Sequence, residues 1–221
     1  MARLPRVVLE NHPHHITQRG VRSMNIFFND EDRHYYLEQL KEKCNEYEVE
    51  INGYCLMTNH VHLILTPLNE SSLSFAVGET HKAYSRRINF RTGVRGHLFQ
   101  GRFFSCALDE HYYVTAMRYV ERNPVKAGMT RVAWTYPWSS AAYHIGLKEN
   151  DYLIEAGDNM LGTKKQWKEL LKSHPEEVKY FRERTRTGRP CGSEAFLKLA
   201  EKMTGRELIP RLAGRPKNES V

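Results

Sequence analysis

The sequence has few cysteines and no long apolar run, and these two features argue against disulfide-bonded, zinc-binding and membrane-spanning proteins. The four cysteines of this 221-residue chain are scattered without a C-x-x-C pair, which argues against a disulfide framework and a cysteine zinc site. The apolar stretches at 55–57 and 61–65 are far too short to cross a bilayer. The N-terminal residues lack the continuous apolar segment of a secretory signal. We therefore expect a cytoplasmic protein with reduced cysteines and no membrane span.

Acidic residues are outnumbered, and one central stretch has none. The chain carries 33 Lys and Arg against 26 Asp and Glu, and the resulting net charge of +7 favours a polyanionic partner. Residues 82–108 combine Lys and Arg with aromatic residues and contain no acidic side chain. This mixture suits a strand of nucleic acid, because cations meet phosphates and rings stack on bases. A solvated basic face whose aromatic rings turn into the core explains the stretch equally well.

Periodicity and turn residues predict alternating strands and helices over the first two thirds of the chain. Strands are expected at 14–18, 48–57, 60–66 and 98–108, and helices at 30–47, 72–89 and 109–123. This order indicates an α+β or α/β sandwich, with helices packed on a mainly antiparallel sheet. After residue 147 aromatic and β-branched residues thin out and short charged helical patterns begin. We therefore predict two regions, residues 1–147 and 148–221.

The segment around His60 and His62 is the first candidate for chemistry. Alternate side chains of a strand face opposite sides, so His60 and His62 share one face, while Val61 and Leu63 share the other. Two imidazoles at this spacing can bind one divalent cation and leave positions open for a substrate oxygen and water. Exposed or hydrogen-bonded histidines on an uncovered sheet face are the alternative, and the spacing alone does not choose between them.

Tyr119, on the predicted third helix, is the second candidate. The apolar stripe of this helix consists of four residues at helical spacing: Tyr113, Ala116, Met117 and Val120. Tyr119 falls outside the stripe and shares a helix edge with Asn123, one turn later. A phenol beside a carboxamide offers a nucleophile and an oxygen ligand in one small area. From helical geometry alone, the simpler interpretation is a half-buried ring with its hydroxyl in water.

Together these motifs resemble the single-tyrosine HUH transposases, and within them the branch of REP-associated tyrosine transposases. The similarity rests on four segments in the same order: residues 57–62 (MTNHVH), 101–103 (GRF), 118–128 (RYVERNPVKAG) and 137–140 (PWSS). It covers about residues 14–143. The resemblance implies a ferredoxin-like fold, related to RNA-recognition modules. It also implies a transposase that cuts single-stranded DNA near a hairpin, with Mg²⁺ or Mn²⁺ as its cofactor.

The resemblance assigns roles to individual residues. His60 and His62 match the metal ligands, and Tyr119 matches the nucleophile that forms a 5′-phosphotyrosine intermediate. Asn123 matches the polar residue that completes the metal site, although relatives also use Gln or another side chain there. Attack by a 3′-hydroxyl on this intermediate would rejoin the DNA.

Other basic and imidazole side chains are assigned to binding or to structure. Four arginines are candidate DNA contacts: Arg19, Arg86, Arg87 and Arg102. Arg102 has separate support from its Gly-Arg-Phe motif. His14, His15 and His81 are interpreted as structural residues or phosphate contacts, and not as metal ligands.

The region 148–221 is expected to be a basic helical accessory region, with short helices after Thr163 and Ser193. We expect it to act in hairpin binding or in access to the site. Two other functions stay open: a catalytically silent, transposase-derived DNA-binding regulator, and an RNA-binding protein that uses a recognition-module-like sheet. The sequence is compatible with a monomer or a homodimer, and with a cytoplasmic, nucleoid-associated location.

Overall fold

The computed structural model describes residues 6–155, 159–173 and 178–208. The strands are β1 (His14–Arg19), β2 (Val49–Leu56), β3 (His60–Pro67) and β4 (Phe104–Ala107). The helices are α1 (Asp30–Glu46), α2 (Ser72–Thr92), α3 (Glu110–Glu121), α4 (Asn123–Lys126), α5 (Ala141–His144), α6 (Lys164–Leu170), α7 (Val178–Thr187) and α8 (Glu194–Thr204). Short 3-10 helices occupy Val21–Ser23, Ala133–Thr135 and Asn159–Leu161.

The four strands form one antiparallel sheet in the order β2-β3-β1-β4. β1 lies inside the sheet, where Thr17 pairs with His62 of β3 on one side and with Phe104 of β4 on the other. α1 connects β1 to β2, and α2 connects β3 to β4. This topology is the ferredoxin-like arrangement, so the predicted α+β fold is confirmed.

The two faces of the sheet bury different helices. Ile16 and Leu63 belong to a core shared with α1 and α2. Ile64, one residue later in β3, belongs to a second core shared with α3. His60 and His62 share one face of β3, as the sequence predicts, and the structure shows that this is the face covered by α3.

Two elements of the sheet domain have a boundary that differs from the prediction by three residues or more. The sequence predicts a strand over 98–108, but regular pairing covers only Phe104–Ala107. Gly101 adopts a left-handed φ of 69°, which breaks the extended backbone, and Phe99 makes an isolated bridge to Gly20. α2 continues beyond the predicted residue 89 to Thr92 and ends where Gly93 has a φ of 65°.

The end of α3 determines where Asn123 lies. α3 ends at Glu121, ahead of Pro124 as predicted, but the chain turns at once into α4, which has a proline in its first turn. Proline is tolerated there because the first backbone N–H groups of a helix need no partner within it. Asn123 therefore lies one turn beyond Tyr119 and donates its Nδ2 proton to the Tyr119 carbonyl oxygen at 3.4 Å.

Residues after 147 contribute to the same core as residues before it. Trp167 and Phe181 are fully buried in the cluster that includes α3. Cys191 joins the chain to the end of β4, because its N–H donates to the Ala107 carbonyl at 2.8 Å. Thr163 and Ser193 cap α6 and α8, as predicted. The predicted boundary after residue 147 thus lies between segments that pack together.

None of the helices in the described ranges combines the length and the apolarity needed to span a bilayer.

Candidate active site

A cleft of about 630 Å³ on the α3 face brings the predicted site residues together. His60 and His62 enter it from β3, Tyr119 from the last turn of α3, Asn123 from α4 and Arg19 from β1. The ring centres of His62 and Tyr119 are 5.6 Å apart, and those of His60 and His62 are 4.9 Å apart. The imidazole pair and the phenol, distant in sequence, are therefore direct neighbours.

A hydrogen bond determines which nitrogen of His60 is protonated. Asn59 Oδ1 lies 2.6 Å from His60 Nδ1, while Asn59 Nδ2 donates to the Ser23 carbonyl at 3.0 Å. Because a carbonyl oxygen only accepts, Nδ1 carries the proton and Nε2 keeps its lone pair. Burial, together with the nearby charge of Arg19, lowers the pKa of His60 to about 4. The ring is therefore neutral at pH 7, the form that binds metals.

His62 is buried and linked to a third histidine. Its Nδ1 lies 2.9 Å from Nε2 of His15 on the neighbouring strand, and Nδ1 of His15 lies 3.1 Å from Oγ1 of Thr185 on α7. Burial is the main reason why the pKa of His15 falls to about 3 and the pKa of His62 falls well below its ordinary value. Both rings are therefore neutral at pH 7, and a single proton occupies the hydrogen bond between them.

The ring of Tyr119 is half-buried between aromatic and cationic groups. The Phe181 ring centre is 5.3 Å away. Lys126 Nζ and the Arg182 guanidinium carbon each lie 5.7 Å from the centre of the Tyr119 ring. One side of the Tyr119 ring is thus covered by Phe181 of α7, and two positive charges lie near the faces of the ring.

The buried carboxylate of Glu121 holds the last turn of α3 in place. It accepts hydrogen bonds from Ser140 Oγ at 2.7 Å, from His144 Nδ1 at 2.5 Å and from Trp167 Nε1 at 2.9 Å. Glu121 stands between Tyr119 and Asn123 in the chain. The network therefore ties the junction of α3 and α4, which carries both residues, to α5 and α6.

The donor atoms around the cleft fit a cation with an open coordination shell. Within residues 6–155, 159–173 and 178–208, no cluster of three or more His, Cys, Asp or Glu side chains is arranged to hold a metal ion. A cation would thus use the two imidazoles of His60 and His62, and the amide oxygen of Asn123 or oxygens from substrate and water. A mixed nitrogen and oxygen set with vacant positions can take a divalent cation that binds together with substrate.

The four predicted DNA-contacting arginines lie in three different places. Arg19 is exposed at the end of β1 and lines the cleft. Arg86 and Arg87 are exposed on α2, on the opposite side of the sheet. Arg102 is exposed in a neighbouring groove between α2 and the segment 96–103 ahead of β4, which also contains Arg6. The structure therefore brings Arg19 to the site and leaves the other three outside the cleft.

The aromatic residues of the basic stretch divide between core and surface. Tyr84, Phe99 and Phe103 are buried in the core beneath α1 and α2. Phe90 is 91% exposed on the last part of α2. For most of these rings, the ordinary packing interpretation is therefore the correct one.

The cleft also contains residues that the sequence analysis did not select for the site. α7 contributes four of them: Phe181, Arg182, Thr185 and Arg186. They lie beyond the segment that carries the family resemblance, and their i, i+4 spacing on one helix face was the signal available. Strand alternation places His15 on the same side of β1 as Arg19, but its position beside His62 follows only from the pairing of β1 with β3.

Comparison with known proteins connects the chain to a family of transposases. Residues 9–123 match the family model described as IS200-like transposase. A REP-associated tyrosine transposase of Haemophilus influenzae is 22% identical over 169 residues, which cover 68% of this chain and 95% of that protein.

Two solved structures match this chain, and the first of them shows the similarity of the fold. A structure of a REP-associated tyrosine transposase bound to a REP hairpin gives a TM-score of 0.54 at 18% identity, and covers 72% of this chain and 93% of that one. A transposase structure from Deinococcus radiodurans gives a TM-score of 0.38 at 18% identity, and covers 55% of this chain and 97% of that one.

Proposed function

The chain belongs to the IS200-like transposase family, and we propose that it cleaves and rejoins single-stranded DNA next to a hairpin in a metal-dependent reaction. A hairpin of the REP type is the proposed substrate, by likeness to the relatives. The observation that carries the proposal is the contact of the Tyr119 ring with the His62 ring, at 5.6 Å, inside one cleft.

His60 and His62, with Asn123, would hold the divalent cation. When bound, Mg²⁺ or Mn²⁺ neutralises a nonbridging oxygen of the scissile phosphate and polarises its phosphorus. The protein contributes two neutral imidazoles whose orientation is set by hydrogen bonds, at Asn59 for His60 and at His15 for His62. Preorganised ligands of this kind need little rearrangement when substrate arrives.

Tyr119 is the proposed nucleophile. Its phenolic oxygen forms a bond to phosphorus while the bond between phosphorus and the 3′-oxygen breaks, which leaves the 5′-phosphate on Tyr119. The phenol proton passes to solvent and the departing 3′-oxygen takes up a proton, so the step is balanced without an external energy source. Attack by a 3′-hydroxyl on the phosphotyrosine reverses the step and rejoins DNA.

Positive side chains supply a path for the DNA backbone. Lys126 and Arg182 flank Tyr119, while Arg6 and Arg102 line the neighbouring groove. Gln18 lines both the groove and the cleft, so the two lie close to each other. Such an arrangement suits a single strand that continues from a bound hairpin into the cleft, and its affinity should fall steeply with salt.

The experiment is a covalent trapping assay on the full-length protein. Incubation with a hairpin that carries a single-stranded extension, in Mn²⁺, should yield a protein–DNA adduct that survives denaturation. A 3′ label should stay with the protein and a 5′ label should be released, because the proposed adduct retains the 5′-phosphate side. Tyr119→Phe should abolish the adduct. Tyr112→Phe, a matched change two turns earlier on α3, should preserve it.

Each alternative has its own result in this assay. An adduct undiminished in Tyr119→Phe rules out Tyr119 as the nucleophile. Hairpin binding without an adduct from the unmodified protein, with or without Mn²⁺, supports a silent DNA-binding regulator. An RNA hairpin that competes as well as the DNA hairpin favours the RNA-binding alternative.

A further inference from the structure

A histidine outside the predicted ligand set is joined directly to His62. His15 is 1% exposed, and its ring lies edge to edge with that of His62, with 5.1 Å between centres and an angle of 10° between the ring planes. One ring nitrogen, Nε2, faces His62 Nδ1 at 2.9 Å, and the other, Nδ1, faces Thr185 Oγ1 at 3.1 Å. A hydrogen-bonded chain thus runs from α7 through β1 to a predicted ligand on β3.

The strand register is what brings the two histidines together. Thr17 is directly opposite His62, so His15, two residues earlier on the same face, is a diagonal neighbour of His62. A register shift of one residue would send His15 to the other face. Phe181 and Tyr119 pack around His15 with ring centres 5.0 and 6.1 Å away, which leaves the ring few partners other than His62 and Thr185.

The direction of the shared proton decides what His62 can bind. If His62 is protonated on Nδ1, it donates to His15 Nε2, and its own Nε2 keeps a lone pair. His15 is then protonated on Nδ1 and donates to the Thr185 hydroxyl oxygen. In the opposite arrangement His62 carries its proton on Nε2, so this nitrogen can donate to an anion but cannot bind a cation.

We propose that His15 and Thr185 are positioning residues that hold His62 in the tautomer with a free Nε2, ready for a divalent cation. The inference rests on the proposed function, because it concerns the same metal site. It also gives α7 a defined part in that site, since Thr185 terminates the chain of hydrogen bonds. Asn59 fixes the tautomer of His60 in the same way, because its side-chain carbonyl oxygen accepts a hydrogen bond from His60 Nδ1.

Partners of this kind orient a ligand and raise its basicity, and their loss lowers metal affinity about 10–100-fold. His15→Phe keeps a ring of similar size but leaves the His62 Nδ1 proton without an acceptor. We expect the Mn²⁺ dissociation constant to rise about 10–100-fold in this variant. His15→Gln offers a carbonyl oxygen near the position of Nε2, so it should restore much of the affinity. Thr185→Val should show a smaller loss.

The test measures Mn²⁺ binding to the full-length protein without DNA, from the electron paramagnetic resonance signal of the free ion. His14→Phe is the matched control. His14 is equally buried on the same strand, but its hydrogen bonds go to Leu9 N–H and the His12 carbonyl, and not to His62. Its Mn²⁺ affinity should equal that of the unmodified protein.

A second measurement needs no variant. Long-range proton–nitrogen NMR correlations of the metal-free protein identify which ring nitrogen of each histidine is protonated. We expect Nδ1 protonation in both His62 and His15. A His62 proton on Nε2 overturns the proposed positioning role, whether or not the His15→Phe protein folds.

The results separate this inference from the function on which it rests. If His62→Ala binds Mn²⁺ as well as the unmodified protein, the proposed metal site fails, and the positioning role fails with it. The other outcome is that His62→Ala loses Mn²⁺ binding, while the Mn²⁺ dissociation constant of His15→Phe stays within about twofold of that of the unmodified protein and not the expected 10–100-fold higher. In that case the metal site is supported and His15 has no part in it.

Discussion

Replacement of Glu121 by Gln should destabilise the protein and uncouple α6 from α3. The Glu121 carboxylate is fully buried and accepts three hydrogen bonds, with Ser140 and His144 on Oε1 and Trp167 on Oε2. A glutamine of the same shape has one acceptor and one donor end. With the amide oxygen at the Oε1 position, the NH₂ group faces the Trp167 N–H. In the other orientation His144 Nδ1 accepts from the NH₂ group only if its proton moves to Nε2, a buried nitrogen with no hydrogen-bond partner, so either orientation leaves a buried donor unpaired.

The magnitude follows from the contacts that are lost. A hydrogen bond to a charged acceptor contributes about 1.5–3 kcal/mol, and a buried donor left without a partner costs a further 1–3 kcal/mol. Glu121→Gln should therefore lower the free energy of unfolding by about 2.5–6 kcal/mol. Trp167→Phe removes a single bond and should cost about 1.5–3 kcal/mol. Because both changes break the same contact, the double variant should lose less than the sum of the two.

The assay is a double-mutant cycle with urea unfolding followed by circular dichroism. We expect a coupling energy of about 1.5–3 kcal/mol between Glu121 and Trp167. Trp134→Phe is the control, because Trp134 packs against the same core but does not take part in the Glu121 network. Its cycle with Glu121→Gln should be additive within about 0.5 kcal/mol.

Additivity in the Trp167 cycle would refute the reasoning. It would mean that α6 does not dock on α3 in solution, and that the region after residue 147 is an independent appendage, as its composition alone suggests. A coupling in the expected range would mean that truncation before α6 exposes a buried carboxylate. In that case removal of the region damages the helix end that carries Tyr119.

Two further predictions concern stability. Burial lowers the pKa of His14 to about 4 and the pKa of His81 to about 3, so the unfolded chain binds protons near pH 6.5 before the folded chain does. The free energy of unfolding should therefore be highest above pH 6.5 and should be lower by about 2 kcal/mol per histidine at pH 5. A urea midpoint that is the same at pH 7 and pH 5 would contradict this. Gly20→Ala should cost about 1–3 kcal/mol, because its Cβ would press against the Met24 carbonyl oxygen. Gly78→Ala, with open space in α2, should stabilise by about 0.5–1 kcal/mol; thermal melts that rank the two variants alike would disprove the close approach at Gly20.

Much of the fold was accessible from local patterns. The alternation in β3 predicts which side chains face each layer, and the caps at Thr163 and Ser193 predict where α6 and α8 begin, because both signals act over a few residues. The short β4 was not accessible in this way. Residues 98–103 have the aromatic content of a strand, but the left-handed Gly101 removes them from the ladder, and nothing in the local sequence requires that conformation.

Some residues of the candidate site could also be predicted from the sequence, and others could not. His60, His62, Tyr119 and Asn123 can be recognised by motif, and the structure brings all four to one cleft. Periodicity alone could not relate a helix residue to a strand residue so distant in the chain. The four residues that α7 adds to the cleft lie in a segment with no motif to mark them.

The sequence by itself determined which side chains share a face of each strand and each helix. It therefore determined that two imidazoles lie on one side of β3 and that Tyr119 lies outside the apolar stripe of α3. Only the tertiary structure decided that His15 lies beside His62 and that Thr185 completes the chain, across sequence separations of 47 and 170 residues. The physical reason is that such contacts depend on strand register and on the docking of a distant helix. Those arrangements are selected by burial of the whole core and not by any local preference.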